Sequence, residues 1–170
     1  MAVLVTGWLL LAAVAGAEEF NGRVVGVADG DTLSVLRDGR AVTVRLVGID
    51  APEKGQAFGE RSRQSLAQMA HGKDARIECH KKDRFGREVC KVRVQPLYCP
   101  RCGKTLDVGL AQISVGLAWW FKRYADEQSA EDRGRYQSEE EETRLRKRGL
   151  WADDAPMPPW EWCRGDRAKP

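Results

Sequence analysis

From Arg23 to Val27, and again from Thr32 to Leu36, apolar and polar positions alternate with the period of a half-buried strand. Asp29-Gly30 between them is a turn dipeptide, and Asp38-Gly39 repeats the signal before Ala41 to Val47. In that third run Val42, Val44 and Leu46 share one face, with Thr43 and Arg45 on the other. Two DG turns so close together predict a three-strand meander. It ends at Ala51-Pro52, because proline cannot continue a central strand.

The period then changes. Gly59 to Ala70 (GERSRQSLAQMA) carries Leu66, Met69 and Ala70 at helical spacing, and Gly72 stops it. Arg76 to His80 and Glu88 to Val94 predict two further strands around the charged turn KKDRFGR. Leu106 to Trp120 reads as one short apolar helix containing Gly109 and Gly116. Gln128 to Arg148 reads as a long charged helix with Ser129 as its N-cap. There Glu140 and Glu142 precede Arg144 and Arg146 at i,i+4, the pattern of a solvated face with no function of its own. The tail 156–170, with Pro158-Pro159 and two tryptophans, reads as an irregular segment pinned on the body. The order β-β-β-α-β-β-α-α suits an α+β, mainly β fold, a five-stranded closed barrel of the OB type with about three helices packed outside. Closure removes the edges that such short strands would otherwise expose.

Composition narrows the function classes. At 170 residues, 42% apolar and 31% charged, the chain is neither disordered, collagenous nor a polytopic membrane protein. A net charge of +3 is too small to announce a polyanion binder, so any grip on nucleic acid must come from a local cleft. Residues 2–17 (AVLVTGWLLLAAVAGA) are an uncharged apolar run ending in Ala15-Gly16-Ala17, the small-x-small pattern of a signal-peptidase site. At about 1.5 Å per residue that run spans roughly 24 Å, short of the ~30 Å membrane core. The expected organisation is a signal peptide (1–17), one barrel domain (18–155) and the tail. The mature chain is expected in the periplasm or outside the cell, with no stable membrane association and no obligate protein partner.

Five charged residues fall at predicted strand ends: Asp31, Arg45, Asp50, Glu53 and Arg87. The meander can bring those ends together. The motifs around them are Asp29-Gly30-Asp31-Thr32, then Val44-Arg45-Leu46-Val47-Gly48-Ile49-Asp50-Ala51-Pro52-Glu53, then Asp83-Arg84-Phe85-Gly86-Arg87. In this order and spacing they closely resemble the staphylococcal nuclease (thermonuclease) family. Gly116-Leu117-Ala118 and Gly149-Leu150-Trp151 match two later landmarks of that family.

The resemblance implies an OB-fold enzyme that hydrolyses phosphodiester bonds of DNA and RNA with Ca²⁺, preferring single-stranded or unwound substrate. By position, Asp31 and Asp50 are the expected carboxylate ligands of calcium, and Ala51 stands where the family uses a main-chain carbonyl. Glu53 stands at the general base, and Arg45 and Arg87 at the two phosphate-binding arginines. The chemistry agrees: phosphodiester hydrolysis develops negative charge that fixed cations stabilise. Arginine offers a permanently charged planar fork to phosphate oxygens, and calcium takes oxygen ligands. Arg45, Glu53 and Arg87 sit at the barrel mouth, so their removal is expected to disturb folding little.

Substrate grip is expected from Arg84 and Lys82 beside Arg87, and from aromatic faces on which bases stack. Where the family has tyrosines after Gly-Leu-Ala, this chain has Trp119, Trp120 and Phe121. A second reading keeps the barrel as a catalytically inactive nucleic-acid or protein binding module. The presence of all five charged residues speaks against it.

The cysteines depart from the family. Cys79 and Cys90 lie on the two strands flanking the KKDRFGR turn, where cross-strand Cα separations of ~4.5–5.5 Å allow a disulfide or two buried thiols. A disulfide there would staple the hairpin that carries Arg87. Cys99-Pro100-Arg101-Cys102 offers either a local disulfide or half of a Zn²⁺ site, whose second CxxC is missing. Cys163 is the fifth cysteine and stands outside both pairs.

Overall fold

In the computed structural model, which describes residues 18–167, β1 (Glu18–Val27), β2 (Thr32–Arg37) and β3 (Arg40–Leu46) form the expected antiparallel meander. The run 2–17 and its expected cleavage point lie outside the described residues. β1 begins five residues earlier than its alternation announces. Its first half, EEFNG, takes its partners from β5 rather than from the hairpin. The second turn is built as its residues dictate, with Asp38 and Gly39 both at positive φ (48° and 78°), the type I′ geometry.

After the two-residue β4 (Ile49–Asp50), α1 spans Gly59–Ala70, the predicted bounds. β5 (Asp74–Lys82) and β6 (Glu88–Val94) pair antiparallel, and β6 then lies parallel to β3 through Val44↔Glu88, Arg45↔Val89 and Leu46↔Cys90. That last ladder closes five strands into a barrel. Val24, Leu33, Val35, Val44, Ile77 and Val92 fill it, fully buried.

The segment 106–120 is not one helix. β7 (Leu106–Asp107) adds to β6, α2 covers only Val108–Ser114, and β8 (Trp119–Trp120) is a strand paired with β4. The Asp107 carboxylate starts α2 by accepting the N–H groups of Gly109 and Leu110. Gly116, at φ 71°, ends the segment. Gly116 and Gly149 are fastened by a 2.8 Å bond from Leu150 N–H to Gly116 O. A Cβ on Gly116 would stand 2.3 Å from Arg148 O, and one on Gly149 2.1 Å from Gly116 O. Any side chain at this crossing would force the two segments apart.

α3 (Ala130–Leu145) is capped by Ser129, whose hydroxyl accepts the Asp132 N–H. Its charged surface is not all solvated. Glu140 is 2% exposed, takes the Trp120 N–H at 3.0 Å, and only its second oxygen meets Arg144. Glu142 with Arg146 is the exposed pair that the spacing predicts. The helix is fastened to the barrel by Lys91 Nζ to Asp132 (2.6 Å) and by the Tyr136 hydroxyl donating to Asp107 (3.0 Å). Burial and the Asp107 carboxylate hold the Tyr136 pKa well above its usual value.

The tail is not irregular. It folds as α4 (Pro159–Arg167), with Trp160 packed on Trp119, Leu150 and Trp151 in a second small core. No helix among the described residues is long and apolar enough to cross a membrane.

Cys79 and Cys90 face each other across β5 and β6 and are joined by a disulfide. Cys99 and Cys102 form a second one, which corrects the zinc alternative: with both sulfurs engaged, neither is a thiolate able to bind a metal. Reducing the first bridge, or replacing Cys79 and Cys90 together by Ser, is expected to lower stability by roughly 2.5–3 kcal/mol, the loop-closure value for so short a ring. Urea melts of the double variant check this. An unchanged midpoint would mean that the β5–β6 ladder alone holds the hairpin.

Candidate active site

The loop from Ala28 to Asp31 is fixed from below by two helices. Gln112 of α2 donates to Gly30 O (2.8 Å) and to Ser62 O of α1 (2.9 Å). Gly30 has no room for a side chain, since its Cβ would lie 1.9 Å from Ser62 Oγ and 2.7 Å from Ala51 Cβ. The Asp29-Gly30 dipeptide thus lies in the loop of the β1–β2 hairpin, as expected, and is a close-packing site as well. This packing sets Asp31 at the entrance of β2, opposite the end of β3, where Leu46 N–H donates to Asp31 O.

Arg45 is the centre of the arrangement. Its Nη1 is paired with Asp31 Oδ2, and its Nη2 lies 2.6 Å from Asp50 Oδ1. Asp31 also takes the Ala51 N–H at 2.8 Å and the Thr32 hydroxyl at 3.0 Å, so the Ala51 main chain is tied directly to this carboxylate. Burial works to lower the Arg45 pKa, but the carboxylates of Asp31 and Asp50 outweigh it and hold the guanidinium charged. Burial raises the Asp50 pKa to about 7, against the pull of Arg45, with Asp31 and Glu53 adding to the rise. Asp29 is raised to about 6 by burial and by Asp31, whose N–H it accepts at 3.0 Å. Three carboxylates around one guanidinium leave the pocket with excess negative charge.

Arg87 reaches the same mouth from the other side of the closure. Its Nε donates to Asp83 Oδ2 at 2.7 Å and its N–H to Asp83 Oδ1 at 3.0 Å, while Nη1 is 3.5 Å from the Thr32 hydroxyl. Burial opposes ionisation of Asp83, but the bonds from Arg87 and the Phe85 N–H overcome it and lower its pKa. Glu53 is half-buried in the turn after β4, its N–H held by Gln56 Oε1 at 2.9 Å. Gln56 in turn donates to Met157 O in the tail at 2.7 Å.

Residues 43–153 match the family described as staphylococcal nuclease homologue. The chain belongs to the staphylococcal nuclease family. It is 40% identical over 159 residues to Protein ParB of Escherichia coli, covering 92% of this chain and 85% of that protein. It is 33% identical over 159 residues to a micrococcal nuclease of Shigella flexneri, covering 94% and 89%. An uncharacterized endonuclease of Haemophilus influenzae is 34% identical over 169 residues, covering 97% and 86%.

Of the residues singled out in this staphylococcal nuclease relative, Asp31, Arg45, Asp50, Ala51 and Arg87 converge on one mouth, and Glu53 adjoins it. Others do not join. Lys82 is paired with Glu88 at 3.1 Å, on the strand behind the turn. Arg84 is exposed, lying over the Phe85 ring at 4.7 Å, with Arg87 5.5 Å from the same ring. Trp119 and Trp120 are only 4% and 8% exposed, so neither offers an open face to a base. They are buried because β8 must cover the barrel beside β4. Sequence reasoning passed over Asp29 and Asp83, the acidic partners of Asp31 and Arg87. The signal for both was an Asp two or four residues ahead of the charged group it positions. It also passed over Cys163, whose Sγ lies 3.7 Å from Glu53 Oε1, a contact with no local signature.

The two arginines differ in what they do for the fold. Arg45 keeps only 15% of its side chain exposed between two carboxylates, whereas Arg87 keeps 29%. The deeper placement of Arg45 between two carboxylates sets a larger expected effect on folding for it than for Arg87. Arg45→Ala should cost about 3–5 kcal/mol at neutral pH by stranding buried carboxylates, and Arg87→Ala less than about 1 kcal/mol. Parallel urea melts of the two variants measure the difference.

Proposed function

We propose that this protein is a nuclease that hydrolyses phosphodiester bonds of DNA and RNA, prefers single-stranded or unwound substrate, and uses Ca²⁺. The observation that carries the reading is the convergence of two arginines, the buried Asp31 and the half-buried Asp50 on one mouth, with Glu53 beside them. The names of the endonuclease and micrococcal nuclease relatives support it.

The donor set suits a hard cation. Every candidate ligand is oxygen, and the pocket holds more carboxylate than guanidinium charge. Asp31, Asp50 and the Ala51 carbonyl would hold the ion. Among the described residues no three His, Cys, Asp or Glu side chains form a metal cluster by themselves. Two carboxylates and a carbonyl would make a site of modest affinity, about 10⁻⁴–10⁻³ M. Bound there, calcium supplies positive charge next to the scissile phosphate.

The chain's own groups do the rest. Arg87, and Arg45 while it is shared with Asp31 and Asp50, bring guanidinium charge to the phosphate oxygens and stabilise the charge that grows on them. Asp83 aims Arg87, and Thr32 ties it to the start of β2, next to Asp31. Glu53 orients the attacking water and accepts its proton. The oxidised cysteine pairs and the apolar run at 2–17 support an exported protein, in the periplasm or outside the cell.

Incubating the protein with heat-denatured DNA should yield fragments with Ca²⁺ and none in excess chelator. Arg45→Ala or Arg87→Ala should lower kcat by about 10²–10³. If Glu53→Gln and Arg87→Ala both cleave at the wild-type rate, the assignment of these roles is wrong. For export, protein isolated from its native host should begin at Glu18 by N-terminal sequencing, and an intact Met1 on cytoplasmic material would count against it.

A further inference from the structure

Helix α4 lies beyond the segment that matches the family, yet it closes a groove beside the mouth. The groove has a volume of about 300 Å³ and runs between β8, the turn that follows it, α3 and α4. One side is aromatic. Phe121 and Trp160 are both partly exposed and stacked on each other, with ring centres 5.6 Å apart and planes at 28°. Trp160 also meets Trp119 edge-on at 6.3 Å.

Trp119 stands directly opposite Asp50 in the β4–β8 ladder. Directly opposed side chains lie on the same face, and neighbouring strands are about 5 Å apart. Asp50, Trp119, Trp160 and Phe121 thus form a continuous path from the carboxylates to the groove.

The other side of the groove carries charge. Lys122, Arg123, Arg144 and Arg164 line it against one carboxylate, Glu140. Glu140 is buried and already shared by the Trp120 N–H, Arg144 at 3.3 Å and Lys122 at 3.8 Å. Arg123 and Arg164 are exposed and make no ion pair among the described residues. On α4, residues 160, 163 and 164 share one helical face. That face carries Trp160 and Arg164 into the groove and sets Cys163 against Glu53. Partly exposed rings beside exposed guanidinium groups that make no ion pair among the described residues match a single nucleic-acid strand, whose bases stack and whose phosphates need cations.

We propose that this groove is a second subsite for single-stranded nucleic acid, with α4 as its wall. Trp160 and Phe121 receive a base, and Arg123 and Arg164 receive the neighbouring phosphate of a strand whose scissile bond lies at Arg45 and Asp50. The inference rests on the nuclease reading and extends it: substrate is gripped beyond the scissile nucleotide, on the α4 side.

The test compares a dinucleotide with a dodecathymidylate. Binding is read by fluorescence anisotropy in the Glu53→Gln protein with Ca²⁺, and cleavage by kcat and KM in the otherwise unaltered chain. Trp160→Ala and Arg164→Glu are each expected to weaken dodecamer binding about tenfold, with a smaller loss for the dinucleotide. The loss should fall on KM rather than kcat. Arg164→Glu should also flatten the dependence of log K on log salt by about 0.7 or more. Trp160→Phe should recover most of the loss, and Arg123→Glu, a surface change, should repeat the effect of Arg164→Glu without touching the small core around Trp119.

If Trp160→Ala, Arg164→Glu and Arg123→Glu all bind the dodecamer as the parent does, the groove is not a subsite, while intact cleavage leaves the nuclease reading standing. Tighter binding or faster cleavage in Trp160→Ala would also overturn the inference, because α4 would then be covering the mouth. If the parent cleaves nothing but the variants lose dodecamer binding as expected, the subsite stands and the nuclease reading falls.

Discussion

The arrangement depends on one buried charge pairing, the Arg45 guanidinium held between Asp31 and Asp50. Charges this far from water are tolerated only when paired. Each partner therefore constrains the others: Asp31 the entry to β2, Asp50 the two-residue β4, and Arg45 the end of β3. The pairing has a chemical consequence as well as a structural one. With Asp29 included, three acidic groups stand around this one base.

Barrel closure makes that pairing accessible to a second arginine. Thr32 is opposite Arg45 in the β2–β3 ladder, and Arg45 is level with Val89 in the parallel β3–β6 ladder. The start of β6 is thereby brought to the height of Asp31. Arg87, two residues earlier than Val89, then needs only the Asp83 carboxylate to aim it. The Cys79–Cys90 bridge fixes the base of the same hairpin and so constrains the backbone that carries Arg87.

The far side of the mouth is organised by residues whose roles look exchangeable in a linear reading. Glu140 and Glu142 both precede an arginine at i,i+4, but one caps the buried β8 backbone and the other sits in water. Trp119 and Trp120 occupy the place of base-stacking residues and serve instead as packing under α3 and α4. The partly exposed aromatic surface passes to Phe121 and Trp160. Burial of one pair of rings and partial exposure of another thus relocates the aromatic wall toward the tail.

Alternation, DG dipeptides and a glycine stop were enough to specify the meander, α1 and the β5–β6 hairpin from sequence. These are local effects of side-chain period and backbone freedom. The charged motifs were equally legible, because their order and spacing are carried by short runs of residues. Tertiary structure decided what depends on contacts between distant segments. The parallel ladder closes the barrel across more than 40 residues of chain (Val44↔Glu88), and EEFNG becomes strand only because β5 lies beside it. Leu106 to Trp120 breaks into strand, helix and strand because Gly116 must meet Gly149 and Trp119 must pair with Asp50. Whether an arginine is buried or exposed, and whether a tryptophan is a platform or a floor, follows from which surfaces those contacts cover, and no local pattern encodes that.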